Sequence, residues 1–336
     1  MTSYRFENQE LLAGNLKDNF WRAPTLNDEV DGWALPRWKK AGLVQFTSTW
    51  HNYDMNNDSV YIRVTKEFRD EQGALQAMVN SFYRIDGNGN VTLTNRIEPM
   101  ETVTSFPKIG MQFRMPLNYR NLTYFGKDTE NYPDRHASGK MGLYHVDALS
   151  LFEQHVVPQD NGNHADTRWM ALTSDKSKVG LFVTMLEPFN FSIYNYSDDN
   201  LTAARRINQL NPTDFLTVNV DYKQAPIGTA TCGPGVDEKY VLGNQVYEYT
   251  VLLRAFDKTQ DLIELTRFQL PDATETMVPT PEIKATMAGK EDFRMFNRPL
   301  TILLTCPDPD AEIRYTTDGS EPTEKSSLYK SSFVIL

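Results

Sequence analysis

The chain has 336 residues, 40% of them hydrophobic and 12% aromatic, which is enough for two or three folded domains. Its formal net charge of -10 argues against nucleic acid or an anionic membrane as a partner, because both attract basic surfaces, and is compatible with a neutral ligand such as a sugar. Cys232 and Cys306 lie far apart, which excludes a disulfide framework and a zinc site of ordinary spacing. No apolar run is long enough to cross a bilayer, and the first residues do not resemble a signal peptide.

Alternation of apolar and polar residues predicts strands along most of the chain. In Val60–Thr65 the apolar side chains recur at every second position, the period of a half-buried strand. Further predicted strands are Leu75–Ile85, Asn90–Glu98, Gly110–Met115, Val179–Leu186, Leu216–Tyr222 and Gln245–Arg254. Many strands separated by turns favour an all-β antiparallel sandwich or barrel over a parallel α/β sheet.

Two local signals interrupt the strands. Arg37–Ala41 is predicted to form a short helix, with Pro36 at its start and Gly42 at its end. The run D-G-N-G-N at 86–90 faintly resembles the start of a calcium loop, but Val91 stands where such a loop needs glycine. A glycine-rich hairpin turn is therefore predicted there.

The composition changes after the strand that ends near Phe256. A short helix is predicted within Thr259–Phe268, followed by a polar stretch interrupted by prolines, which is typical of a linker. The predicted organisation is a large domain over residues 1–257, a linker over 258–285 and a small, incomplete β-sandwich over 286–336. It is predicted to be incomplete because an apolar strand at the chain end needs a neighbour.

Polar residues are densest between Glu130 and Arg168. This segment contains four of the five histidines, about ten residues apart, which is not the spacing of metal ligands. One interpretation is a hydrogen-bonded loop system at one end of the sandwich. The other is a sugar-facing rim, because Asp, Asn, Arg and aromatic side chains bind hydroxyl groups and pyranose faces. No acidic pair stands in a recognisable catalytic context for cleaving a glycosidic bond.

Three segments resemble the C-terminal domain of the β-galactosidases of glycoside hydrolase family 2. Residues 18–28 read D-N-F-W-R-A-P-T-L-N-D and are followed by W-K-K-A-G at 38–42, similar to the family's N-F-W-R-A-P-T-D-N-D, with Leu26 in place of Asp. Residues 124–135 resemble G-x-G-P-x-E-N-Y-P-D-R, with departures at Lys127 and Asp128. The ordered matches together make a specific signal.

The second segment is followed by V-P-Q-D-N-G-N at 157–163, similar to the family's V-x-P-x-E-N-G with Asp160 for Glu. The third segment, I-G-T-A-T-C-G-P at 227–234, resembles a glycine-rich stretch that carries Trp or Cys in different members. The resemblance implies a large antiparallel supersandwich similar to galactose mutarotase. It also implies that the catalytic glutamates lie on a separate TIM barrel, so this chain contributes no catalytic residue, cofactor or metal.

The resemblance further implies two sets of residues. The predicted substrate rim is Thr231, Cys232, Asn161 and His164, and for Cys232 a small buried apolar role is an equal alternative. The residues predicted to maintain the motif structure are Arg22, Asn27, Asp28, Glu130, Asn131, Asp134 and Arg135. The implied partners are a β-galactoside glycan, the barrel and other domains of the same polypeptide, and further copies of the chain.

Residues 313–323, I-R-Y-T-T-D-G-S-E-P-T, resemble the small β-sandwich appended to chitobiases and other secreted glycosidases. Such modules are spacers or weak carbohydrate contacts, and their presence favours a periplasmic or secreted location. Two other functions stay open at this point. One is a free-standing carbohydrate-binding module, and the other is a mutarotase-type epimerase using His136, His164 and Glu187 as candidate acid and base.

Overall fold

The computed structural model describes residues 1–29, 34–43, 47–51, 60–135, 138–229, 235–267, 282–287, 290–291, 299–306, 311–318, 320, 322–323 and 325–335. Contacts divide the chain into two units, Met1–Pro271 and Asp272–Leu336, and each is described by itself. The predicted domain and linker boundaries stay predictions. Among the residues described here, no helix is long and apolar enough to span a membrane.

The described part of the large unit contains a small hairpin and a twelve-stranded sheet in which neighbouring strands are antiparallel. The hairpin consists of β1 (Arg5–Phe6) and β2 (Gln9–Glu10). The sheet strands are β3 (Gly14–Asn19), β4 (Thr47–His51), β5 (Val60–Arg69), β6 (Leu75–Ile85), β7 (Val91–Pro99), β8 (Lys108–Pro116), β9 (Asn121–Lys127), β10 (Met141–Asp147), β11 (His164–Thr173), β12 (Val179–Tyr194), β13 (Phe215–Gln224) and β14 (Tyr247–Asp257). The predicted all-β antiparallel fold class is confirmed.

The strand order is β10-β9-β11-β12-β14-β7-β6-β5-β4, with a branch in which β13 pairs with β12 and β8, and β3 pairs with β8. The branch arises because β12 changes partner along its length. Its first half pairs with β14 up to Met185, and its second half pairs with β13 from Asn190 onward. The sequence predicted an end at Leu186, but the strand continues through Pro188. Proline lacks the N–H that a ladder needs, and here it lies where one partner strand ends and the next begins.

The branch strands have one apolar and one polar face. In β8, Ile109, Met111 and Phe113 belong to the main hydrophobic core. Lys108 and Gln112, which alternate with them, point to the other face and are nevertheless buried. A polar sheet face sealed from solvent is therefore a central feature of this unit.

The local predictions can be compared with three elements. Helix α1 (Leu35–Lys40) begins one residue before the predicted Pro36 and ends one residue before the predicted Ala41; Gly42 follows it, as predicted, with a φ of 69°. The 86–90 run is the β6–β7 hairpin turn, in which the Asp86 carboxylate accepts hydrogen bonds from the backbone of Asn88 and Asn90. The helix predicted within 259–268 is shorter, at α3 (Leu262–Leu265). It belongs to the large unit, where Leu265 joins a cluster with Trp169 and Phe182.

One further helix covers the polar sheet face, where its Asp198 carboxylate accepts a hydrogen bond from the Gln112 side chain. Helix α2 (Asp198–Ala203) is capped by the Ser197 hydroxyl, and the remaining short segments are 3-10 turns at Ala148–Leu151, Ile207–Gln209 and Glu238–Tyr240. The predicted loop system at 130–168 is thus only partly loop, because it contains β10, a 3-10 turn and the beginning of β11.

The described part of the small unit is a four-stranded sheet in the order β16-β15-β17-β20, with a separate two-stranded pair. Its strands are β15 (Glu282–Met287), β16 (Lys290–Glu291), β17 (Leu300–Thr305) and β20 (Phe333–Ile335), and the pair is β18 (Arg314–Tyr315) with β19 (Ser327–Leu328). Leu300, Ile302 and Leu304 form its core, against which Tyr315 and Phe333 pack.

Candidate functional site: a cleft where the motifs meet

Arg22 ties the first motif to the residues immediately before the third. Its Nη2 donates to both oxygens of the Asp28 carboxylate, at 2.8 and 3.0 Å, and both side chains are 0% exposed. It also donates to the carbonyl oxygens of Ala225 and Pro226 at 2.7 and 3.0 Å. One buried side chain therefore joins two segments about two hundred residues apart.

Aromatic rings enclose the same guanidinium. Its central carbon lies 5.4 Å from the centre of the Trp38 ring and 5.9 Å from that of Tyr132. Burial opposes its charge, yet the carboxylates of Asp28 and Asp160 raise the pKa of Arg22. The residue is thus a fixed positive charge inside the protein.

The second motif is fastened to the segment at 160–165. The Glu130 carboxylate accepts a hydrogen bond from the backbone N–H of Gly162 at 2.6 Å. The Asn131 side chain accepts from the Ala165 backbone at 2.9 Å, and Asn163 donates to the Asn131 carbonyl at 2.8 Å. Gly162 has a φ of 71°, and a Cβ there would lie 2.7 Å from the Leu151 carbonyl oxygen, so glycine is required.

Asp134 and Arg135 hold the beginning of the third motif. The Asp134 carboxylate accepts from the backbone N–H groups of Ile227 and Gly228 at 3.2 and 3.0 Å. Arg135 donates to the Gly228 carbonyl through Nε and Nη2 at 3.1 and 2.6 Å, and Asn27 donates to the Ile227 carbonyl. These contacts fix the backbone just before Thr231–Pro234, which lies outside the described residues.

A cleft of about 340 Å³ opens where these segments converge. It is lined by residues of all three motifs and of the 155–160 segment, namely Thr25, Leu26, Asn27, Glu130, Asn131, Tyr132, Arg135, His155, Gln159, Asp160 and Ile227. The sequence prediction named four of them as motif residues: Asn27, Glu130, Asn131 and Arg135. It did not assign the others to a site, although most of them lie within or beside the matched motifs.

Asp160 lies at the base of this cleft and is 4% exposed. Its Oδ2 accepts hydrogen bonds from the Tyr132 hydroxyl at 3.0 Å and from the Gln224 side chain at 2.9 Å. Burial raises the pKa of Asp160, and partial burial raises that of Glu130 as well. The cleft therefore contains two carboxyl groups whose ionisation is disfavoured.

The polar sheet face forms a buried network. Lys108 donates to the Asn219 side chain at 3.0 Å and to the Asp221 carboxylate at 3.2 Å, and both members of the Lys108–Asp221 pair are 1% exposed. Gln112 and Asn19 donate to the same Asn219 oxygen. The sequence prediction did not identify this network, because alternating polar residues in a strand ordinarily indicate a solvent-facing side.

The structure buries both predicted rim residues that it describes. Asn161 is 2% exposed, accepts from the Glu153 backbone at 2.8 Å and donates to the Gln159 carbonyl at 3.0 Å. His164 is also 2% exposed, and its ring stacks on Phe191 with centres 5.1 Å apart. Burial lowers the pKa of His164.

In this chain both side chains therefore support the fold locally. Their place in a substrate rim stays a prediction, as does that of Thr231 and Cys232, which lie outside the described residues.

The epimerase candidates are placed in different environments. His136 lies outside the described residues, and His164 has its Nδ1 2.9 Å from the Gly162 carbonyl oxygen. Glu187 is on the surface, 3.9 Å from Lys223, with 60% of its side chain exposed. Among the described residues, no hydrogen bond or ion pair joins His164 to Glu187.

Comparison with known proteins identifies the family. Residues 1–253 match the family described as β-galactosidase small chain, and residues 295–335 match the chitobiase/β-hexosaminidase C-terminal domain. The chain is 29% identical to the β-galactosidase of Pseudoalteromonas haloplanktis over 264 residues and 29% identical to that of Actinobacillus pleuropneumoniae over 253 residues. Each alignment covers 74% of this chain and 24% of the relative, so the chain spans about a quarter of their length.

Solved structures show weaker similarity. Galactose 1-epimerase from Lactobacillus acidophilus has a TM-score of 0.32 at 11% identity, covering 76% of this chain and 75% of that one. An aldose epimerase homologue from C. elegans has a TM-score of 0.35 at 10% identity, covering 76% and 78%. Likeness at this level carries no argument about function. The family match, in contrast, covers three-quarters of the sequence, and it shows that the chain belongs to the β-galactosidase small-chain family.

Proposed function

We propose that this chain is the non-catalytic C-terminal part of a family 2 β-galactosidase that hydrolyses terminal β-galactosides. The observation that carries the proposal is the convergence of three separated motifs on one cleft. There, Asp134 and Arg135 fasten the backbone at 227–228. Such fastening gives the residues that follow a rigid base, as a residue that positions a substrate requires.

In this proposal the segment Thr231–Pro234 completes the rim of a galactose site on a TIM barrel of the same polypeptide. The barrel supplies the catalytic glutamates. The proposed partners are the β-galactoside, the remaining domains and further copies of the chain. The small unit serves as a spacer or a weak carbohydrate contact.

In this proposal the two carboxyl groups of the cleft stabilise the fold and do not take part in hydrolysis. Glu130 is bound to the Gly162 backbone, and Asp160 to Tyr132 and Gln224. A hydrolytic pair would instead have to flank a glycosidic bond with one group as acid and the other as nucleophile or base.

We therefore expect the purified chain to leave an aryl β-galactoside unhydrolysed and α/β-galactose interconversion at its spontaneous rate. Release of the aryl group followed by absorbance, and polarimetry of fresh galactose, measure the two activities. Matched preparations of Glu130→Gln and Asp160→Asn show whether trace activity belongs to a contaminant. Turnover that is present in the wild-type chain and lost in either variant would contradict the proposal.

The rim assignment has its own test in the enzyme that contains this chain. If Cys232 lines the galactose site, iodoacetamide should modify it, and saturating galactose should slow that reaction. A Cys306→Ser background leaves Cys232 as this chain's remaining thiol. Cys232→Trp should then change substrate affinity by adding a stacking face, with little change in stability. A thiol that is unreactive in the folded enzyme, together with a destabilised Trp variant, would show that Cys232 is a core residue.

A further inference from the structure

We propose that Asp160 and Glu130 receive a basic side chain, arginine or lysine, from another domain of the intact enzyme. This inference rests on the proposed function, which places further domains in the same polypeptide. In this inference, one of these further domains docks at the cleft.

The first step is the state of Asp160. Both of its hydrogen bonds within the described residues end on Oδ2, leaving Oδ1 without a described donor on a residue that lines the cleft. The nearby cations Arg22 and Lys108 are already paired, with Asp28 and Asp221 respectively. No described Lys, Arg or His nitrogen forms an ion pair with Asp160. A carboxylate that is 4% exposed ordinarily has such a partner, because an unpaired buried charge is costly.

The second step is the charge of the cleft. Glu130 adds a second carboxyl group, of which one oxygen is bound to the Gly162 N–H. Arg135 already donates to the Gly228 carbonyl, and His155, the other basic side chain in the lining, counteracts the effect of burial on the pKa of Glu130. The carboxyl oxygens of Asp160 and Glu130 that have no described donor favour a cationic hydrogen-bond donor.

The third step is the shape of the opening. A cleft of about 340 Å³ is much larger than one metal ion needs and can hold a long side chain. Leu26 lines it and is 51% exposed. A cleft lined by two carboxyl groups and an exposed apolar residue fits a side chain that has an apolar stem and a charged end.

The molecule already contains the same arrangement once. Arg22 places its guanidinium on a buried aspartate while Trp38 and Tyr132 cover it. Tyr132 also donates to Asp160, so the empty acceptor at the cleft base lies beside the filled one.

The test uses the whole chain and ethylguanidinium as the probe, with tetramethylammonium at equal ionic strength as the control. The Gly162 amide, bound to Glu130, and the Leu26 amide, bound to Gln159, report on the cleft by NMR. We expect saturable shifts of both amides with ethylguanidinium. Affinity should fall about tenfold or more in Asp160→Asn, since a charge-assisted bond is lost. Glu248→Gln, an exposed carboxyl elsewhere on the sheet, should bind as the wild type does.

Absence of a saturable shift, or equal affinity in Asp160→Asn, would overturn the inference. So would a response of the same amides to Mg²⁺, Ca²⁺ or galactose in place of the probe, because it would identify a metal or sugar site. If Asp160→Asn does not fold, Glu130→Gln provides the same comparison. Failure of this inference leaves the activity and Cys232 results untouched, so it can be told apart from failure of the proposed function.

Discussion

Replacing Arg22 with methionine is expected to lower the unfolding free energy of the large unit by about 3 to 5 kcal/mol. The substitution keeps the apolar stem but leaves the Asp28 carboxylate, 0% exposed, without its counter-charge. It also removes the donors to the carbonyls of Ala225 and Pro226. The cost comes mainly from the stranded charge and not from lost attraction, because a buried ion pair gains little over an apolar pair of similar volume.

Urea unfolding followed by tryptophan fluorescence measures the effect, since Trp38 lies against the guanidinium. Arg5→Ala, which breaks an ion pair in which Arg5 is 72% exposed, is the matched control and should cost less than about 1 kcal/mol. The double variant Arg22→Met with Asp28→Leu should recover part of the loss. If Arg22→Met is no more destabilising than the surface control, the pair does not connect the motifs energetically.

Replacing Lys108 with methionine should produce a loss of similar size that depends on pH. Lys108 is the cation bound to Asp221, and burial raises the pKa of Asp221 to about 7 even with that cation present. Without Lys108 the pKa rises further. At pH 8.5 we expect a cost of about 3 to 5 kcal/mol, the range for breaking a buried pair.

The pH dependence follows from proton binding. Folded Asp221 holds its proton more tightly than the unfolded chain does, so its contribution to stability is complete below its ordinary pKa of 3.8. That contribution is lost as the pH rises to about 7 in the wild-type chain. In Lys108→Met the loss continues above pH 7, at about 1.4 kcal/mol per pH unit. The difference in unfolding free energy between the variant and the wild type should therefore shrink by about 2 kcal/mol when the pH is lowered from 8.5 to 5.5.

Unfolding curves at these two pH values measure the difference. Lys239→Met provides the control, because Lys239 pairs with Asp237 on the surface and should leave both values unchanged. A deficit of equal size at both pH values would mean that lost packing, and not the charge of Asp221, explains the cost.

The sequence predicted strands well where one face is polar and solvated or where turns delimit them. Leu75–Ile85 was predicted with the bounds that the structure has. For β8 and β13 the rule that a polar strand face is exposed to solvent does not hold. Lys108 and Asn219 alternate with core residues as a solvent-facing row would, and only the covering segments bury them. The alternation of polar and apolar residues does not show whether residues distant in sequence cover the polar face.

The sequence predicted individual residues of the site but not that they meet in one cleft. Arg22, Asp28, Glu130 and Asp134 were predicted as structural residues, and the structure gives each a definite backbone or side-chain partner. Their meeting point depends on which loops the sheet brings together. Asp160 appeared in the sequence only as a departure from the family's usual glutamate, so nothing there marked it as the base of the cleft.

The long span of the Arg22 contacts has a consequence for synthesis. Arg22 leaves the ribosome 203 residues before Ala225, whose carbonyl it must bind. At ordinary elongation rates of about 5 to 20 residues per second, roughly 10 to 40 s pass before that acceptor exists. During this interval Arg22 lacks the carbonyl acceptors of Ala225 and Pro226, which have not yet been synthesised. The nascent chain is then most exposed to wrong partners, and a chaperone would be most useful to it.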